Sequence, residues 1–203
     1  MSIVKLNNRG VKNATAFGSI SSLGSLTLIQ KQTASSSATI DFTTGIDSTY
    51  KEYIFYFVNI HPATDQTQFT FQGDTGTNTN YNQTITSTHF RTYGNENGTE
   101  AGLGYNNQDD QAQGTAFQVL AHDGTVGNAN DESLNGSLHI FNPSSSVFVK
   151  HFIGNTSANH AGDYQIESFI AGYFNTQTAL TRFRFKFASG NIDSGDILLF
   201  GLN

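Results

Sequence analysis

The chain has 203 residues, a formal net charge of −6, Phe 17, Tyr 8, Gly 20, Pro 2, Trp 0 and Cys 0. That length buries a sizeable core without a metal or crosslink, and a chain lacking cysteine has neither a disulfide scaffold nor thiol chemistry. No stretch approaches the ~20 apolar residues of a membrane-spanning helix, so no membrane insertion is expected.

The first acidic residue is Asp41, so residues 1–40 carry +4 (Lys5, Arg9, Lys12, Lys31) and residues 41–203 carry −10. Such opposite-signed ends suit an arm that docks on an acidic partner. Four charges without interleaved aromatics are too dilute for a nucleic-acid site, and none is expected. Lys5, Asn7 and Asn8 break the apolar run after Met1, which argues against a signal peptide.

Residues 1–24 are polar, with isolated apolar anchors such as Phe17, and cannot bury a face of their own. They read as a docking arm, with Lys5, Arg9, Lys12 and Phe17 as its candidate contacts; an unstructured leader is the plainer alternative. Residues 25–203 read as one domain.

Short strands are expected at Ser25 to Gln30 and Ala38 to Thr43. Tyr50 to Ile60 is the longest candidate, apolar on both faces, and should lie centrally with both faces buried before His61-Pro62 stops it. Gln68 to Gln72 alternates Phe69 and Phe71 with polar neighbours. Between Gly73 and Gly114 the pattern weakens, with Ile85 to Tyr93 the one candidate in a long polar stretch. It returns at Ala116 to Ala121, Ser137 to Phe141, Val147 to Ile153, Gln165 to Phe174, Thr181 to Phe187 and Ile197 to Leu202. In Arg182-Phe183-Arg184-Phe185-Lys186-Phe187 the alternation is complete, one face apolar and one charged. Asn97-Gly98, Asn135-Gly136, Asn142-Pro143, Ser189-Gly190-Asn191 and Ser194-Gly195 read as turns between strands. The expected fold is all-β: an antiparallel β-sandwich, jelly-roll-like, with an extended N-terminal arm.

Chemistry is harder to find. His61, His89, His122, His139, His151 and His160 lack zinc-site spacing and read as structural, although His139 and His151 could meet across a ladder. Asp109-Asp110, Asp123 and Asp131-Glu132 are candidate acid/base or calcium carboxylates, but read best as solvated loop charges. The run Asp74-x-Gly76-x-Asn78-x-Asn80 has Ile85 where a calcium loop needs Glu. No metal, cofactor or catalytic residue is expected, and no enzyme. Tyr81, Tyr93 and Tyr105, set among amides, are candidate glycan contacts; the blander reading is that they pin a long loop.

The phrases Ser35-Ser36-Ser37-Ala38-Thr39-Ile40-Asp41-Phe42, Thr43-Thr44-Gly45-Ile46-Asp47-Ser48-Thr49-Tyr50-Lys51-Glu52-Tyr53 and Phe57-Val58-Asn59-Ile60-His61-Pro62, with the closing Ser189-Gly190-Asn191-Ile192-Asp193-Ser194-Gly195-Asp196, resemble virion proteins of marine tailed phages, cyanophages especially. The resemblance covers most of the chain and carries no catalytic residue. It implies a structural or fibre-type protein of the virion, assembled in the bacterial host cytoplasm. By its arm the protein would join other virion proteins, capsid or tail; by analogy it would be a homotrimer. A receptor-binding tail-fibre module for host glycan is the alternative.

Overall fold

A computed structural model describes residues 26–122 and 126–202. The proposed arm, with Lys5, Arg9, Lys12 and Phe17, lies outside the described residues, as does Asp123. The strands are β1 (Thr27–Thr33), β2 (Ile40–Phe42), β3 (Glu52–Pro62), β4 (Phe69–Asp74), β5 (Ile85–Asn95), β6 (Ala101–Tyr105), β7 (Ala112–Gly114), β8 (Gln118–Val119), β9 (Leu134–Phe141), β10 (Lys150–His160), β11 (Tyr164–Phe174), β12 (Arg182–Phe187) and β13 (Ile192–Leu202). No helix occurs among the described residues.

Among the described residues nine strands form a large sheet, ordered β1-β13-β3-β9-β10-β11-β5-β6 with β7 beside β5, and four form a small sheet, β2-β12-β4-β8. Eight of the strands make a nested set in which first pairs with last: β1 with β13, β2 with β12, β3 with β9, β4 with β8. Successive pairs alternate between sheets, as in a hairpin rolled over itself. That is the jelly roll, built from two antiparallel sheets face to face. The other strands are two insertions, β5–β7 between β4 and β8 and β10–β11 between β9 and β12, and both extend the large sheet.

The core between the sheets is aromatic. Phe183, Phe185 and Phe187 of β12 point inward and are buried, while Arg182, Arg184 and Lys186 lie half-buried on the other face, as the alternation requires. Phe185 sits at the centre, its ring centroid 4.9 to 6.3 Å from those of Phe42, Phe55, Phe57, Phe69 and Phe71. Each such ring is worth roughly 1.5–3 kcal/mol of burial. On the outer face Arg184 makes a two-pronged ion pair with Asp41 (2.7 and 2.6 Å), and its guanidinium lies 4.1 Å from the Tyr81 ring centroid.

Several sequence expectations change. β3 is central, between β13 and β9, but only its inner face is buried throughout: Ile54 on the outer face is covered, whereas Tyr56 and Val58 are exposed. The small sheet covers one side of β3, and among the described residues no layer covers the other. Asn135-Gly136 and Ser194-Gly195 are not turns. They lie inside β9 and β13, beside the irregularity of β3 at Phe57–Ile60, where Asn59 has φ +50°. Gly195 (φ +115°) and Gly136 (φ +157°) face crowded backbone, since a Cβ would overlap the carbonyl oxygen of Asn59 at the first and of Asn155 at the second.

The strand expected at Val147 starts later, at Lys150, and runs on to His160. Val147 and Phe148 are exposed in the loop before it, while the buried Lys150 ammonium donates to the Phe148 and Thr176 carbonyls at 2.9 and 3.1 Å. The polar stretch holds β6 and β7 as well as β5. Alternating Gly102 and Gly104 in β6 erase the apolar signature.

Candidate functional site

The insertions carry the large sheet beyond the reach of the small one. Along the inner face of β5 lie Ser87, His89, Arg91 and Tyr93, opposite Gly172, Ile170, Ser168 and Ile166 of β11. Side chains two apart share a face, so this row is a single stripe. Phe71 of β4 covers its start through Phe152 and Phe174. The chain from Asn106 to His122 covers the middle, and the far end is open.

Under that covering chain is a polar network. Asp109, 1% exposed, accepts a 2.6 Å hydrogen bond from His122 Nδ1–H and a 3.4 Å bond from Gln68 Nε2. Gln118 Nε2 donates to the Asp109 carbonyl at 3.0 Å, and Ser87 Oγ donates to Gln118 Oε1 at 2.6 Å. Thr156 Oγ1 donates to the Leu120 carbonyl, and His122 N–H donates to Ser168 Oγ at 3.4 Å. That last bond ties the covering chain to β11 through the main chain and is no nucleophile–base contact. His89 is fully buried, its Nδ1 lying 3.4 Å from Asp109 Oδ2 without hydrogen-bonding geometry; neither ring nitrogen has a hydrogen-bond partner among the described residues. Burial pushes its pKa down to about 4, against the opposing pull of the Asp109 charge, so the ring is neutral at pH 7.

Beyond the network the stripe opens into a cleft of about 240 Å³, lined by Arg91, Tyr93, Glu100, His160, Tyr164 and Ile166. Its walls are the tips of two hairpins, β5–β6 and β10–β11, joined by Glu96 N–H to the Asp163 carbonyl at 2.9 Å. The Arg91 guanidinium lies 5.2 Å from the Tyr93 ring centroid, and no ion pair or hydrogen bond engages it among the described residues. Tyr93 and Tyr164 stand 6.2 Å apart at 61°, making an angled aromatic wall. Tyr164 OH donates to Glu100 Oε2 at 2.6 Å, and this bond holds the phenol pKa above its ordinary value. Glu100 is fixed in turn by its N–H on Asn95 Oδ1 at 2.8 Å. His160 packs edge-on to Tyr164 and accepts the Gly162 N–H at Nδ1, 2.8 Å, so in the neutral ring Nε2 carries the proton. Burial lowers its pKa.

The structure separates the three tyrosines. Tyr93 lines the cleft. Tyr81 is buried beneath Arg184, its pKa raised by burial, and offers no face to a ligand. Tyr105, 61% exposed, lies on the opposite face of the sheet, where its hydroxyl donates to Asp110.

Asp109 is not a solvated loop charge, because the covering chain turns it inward against His122. Asp74, first of the calcium-like run, is buried and caps its own loop, accepting from Gly76 N–H (2.7 Å) and Tyr81 N–H (3.1 Å). Glu132 folds back onto Ala129 N–H at 2.6 Å. Among the described residues no cluster of three or more His, Asp or Glu is arranged to hold a metal. His139 and His151 lie on the same outer face but do not meet: His139 pairs with Glu52 at 2.5 Å, and His151 packs on Tyr173.

Of the residues that line the cleft, Arg91, Glu100 and Tyr164 carry no sequence motif that marks them, and His160 reads from the sequence as a structural histidine. The signal that was present is the alternation His89-x-Arg91-x-Tyr93, which puts a base, a cation and an aromatic on one face of a strand. Compared with protein-family models, curated proteins and solved structures, the chain matches none.

Proposed function

We propose that this chain is a non-enzymatic structural protein of a phage virion, held to the particle by residues 1–24 and displaying the jelly-roll domain outward. The observation that carries the reading is the outer face of the large sheet. Leu28, Tyr56, Val58, Phe90, Leu103, Tyr105 and Ile153 are all exposed there, with Leu103 at 72%. Burying those side chains is favourable in proportion to their apolar area, so the face suits lasting contact with other protein. Jelly rolls serve viral capsids and lectins alike, and the fold is compatible with the reading.

Further copies of the same chain, in a homotrimer, are the proposed occupants of this face. The sequence resemblance supports that choice, and assembly around the sheet would shield seven apolar side chains.

The test is a cryo-EM map of particles assembled with the full chain or with the chain lacking residues 1–24. Density for the domain in the first and none in the second is expected. Normal incorporation of the truncated chain overturns the role of the arm. A monomer by light scattering, unchanged by Ile153→Ser with Leu103→Ser, overturns the role given to the outer face.

A further inference from the structure

We propose that the cleft between the two hairpin tips binds one neutral pyranose ring of a glycan, with the C–H face of the sugar on the tyrosines and its hydroxyls on Arg91, His160 and Glu100. The inference is independent of the virion reading, because a displayed sandwich of any origin would offer the same cleft.

Size comes first. About 240 Å³ is below the roughly 300–1,000 Å³ of pockets for drug-sized ligands, so the cleft takes a single ring. The walls match such a ring chemically. A pyranose has an apolar C–H face and an equator of hydroxyls, each hydroxyl both donor and acceptor. Tyr93, Tyr164 and Ile166 supply the apolar contact. Arg91 supplies N–H donors not committed to any described residue, and neutral His160 supplies Nε2–H, its other nitrogen being held by Gly162. Glu100, with one oxygen engaged by Tyr164, keeps acceptor capacity for a sugar hydroxyl.

Charge selects against an acidic sugar. Among the described residues Arg91 is the one cation lining the cleft, Glu100 is a lining carboxylate, and Asp65 and Glu132 are near enough to act on His160. A carboxylate or sulfate would meet more negative than positive charge. The site is also organised in advance: Asn95 fixes Glu100, Glu100 fixes Tyr164, and the hairpin tips are joined by a main-chain hydrogen bond. Little ordering cost then falls on binding.

The experiment titrates the full-length, ¹⁵N-labelled protein with the methyl glycosides of glucose, galactose and mannose, and with methyl glucuronide as the acidic probe. At least one neutral glycoside is expected to move amide signals around Gly94, Gly102 and Tyr164, with a dissociation constant on the order of millimolar. Arg91→Gln and Tyr164→Ala should each weaken it about tenfold, and Tyr105→Ala should leave it unchanged. If Tyr164→Ala fails to fold, Tyr164→Phe and Glu100→Gln keep the packing, and each should still weaken binding about twofold or more. Three results overturn the proposal: no response to any neutral glycoside, tighter binding of the glucuronide, or shifts confined to the outer face near Tyr105. None of them bears on where the chain sits in a particle.

Discussion

His89 gives the most exposed test of the electrostatics. It is fully buried, and its pKa falls from 6.5 to about 4, chiefly through burial, with Asp109 and Asp110 opposing that fall and His122 and Arg91 reinforcing it. The unfolded chain therefore binds a proton at pH values where the folded chain does not. Stability from this group is complete above pH 6.5, falls as pH drops toward about 4, and changes no further below that. At about 1.36 kcal/mol per pH unit the full loss is roughly 3 kcal/mol, a large share of the about 5–15 kcal/mol that holds a domain together.

The perturbation is His89→Leu. It removes the titrating ring and also two buried nitrogens that lack partners, so at pH 7 it should cost no more than about 1 kcal/mol. Urea unfolding of wild type and variant at half-unit steps from pH 4 to pH 7.5 would read the difference. Wild type should lose about 3 kcal/mol more than the variant across that window. His160, also lowered by burial, contributes equally to both and cancels. Asp47 and Asp196 have pKa values lowered below 3.8 by their hydrogen bonds to Thr49 and Lys31, and so titrate beneath the window. Parallel curves for the two proteins would refute the assignment of His89 as a neutral buried ring.

Other outcomes follow from packing. Phe185→Ala removes a ring surrounded by five others between two hydrogen-bonded sheets that cannot close the gap; about 4 kcal/mol should be lost, seen as a fall of roughly 8–16 °C in Tm by calorimetry. Gly195→Ala puts a Cβ onto the Asn59 carbonyl at a positive φ and should cost about 2–3 kcal/mol in urea unfolding, whereas Gly98→Ala, positive in φ but in open space, should cost about 1 kcal/mol. In Gly102→Ala the new methyl would stand 2.8 Å from the Tyr93 hydroxyl. Because a side-chain tip can yield, Tm should change little, while NMR shifts of Tyr93 and Tyr164 should report a reshaped cleft.

What the sequence by itself determined is local. Strict alternation in Arg182–Phe187 requires a strand with one wet face, and β12 has one. Turn residues every few positions and the absence of helical periodicity lead to an all-β sandwich, because period two is a property of each strand alone. The tertiary structure decided everything that depends on which strand lies beside which. It placed Asn135-Gly136 and Ser194-Gly195 inside strands rather than at turns, opposite the irregularity of β3 at Asn59. It turned Asp109 inward, because the chain from Asn106 to His122 covers the part of the nine-stranded sheet that the four-stranded sheet does not reach, and it left Tyr56 and Val58 exposed, because among the described residues a layer packs on only one face of β3. It brought Arg91 and Tyr93 to Tyr164 and His160, some 70 positions away in the chain, through the antiparallel registers of β5 with β11 and β11 with β10. Side-chain periodicity is written along the chain, but register is a long-range choice that only the packed sheets make.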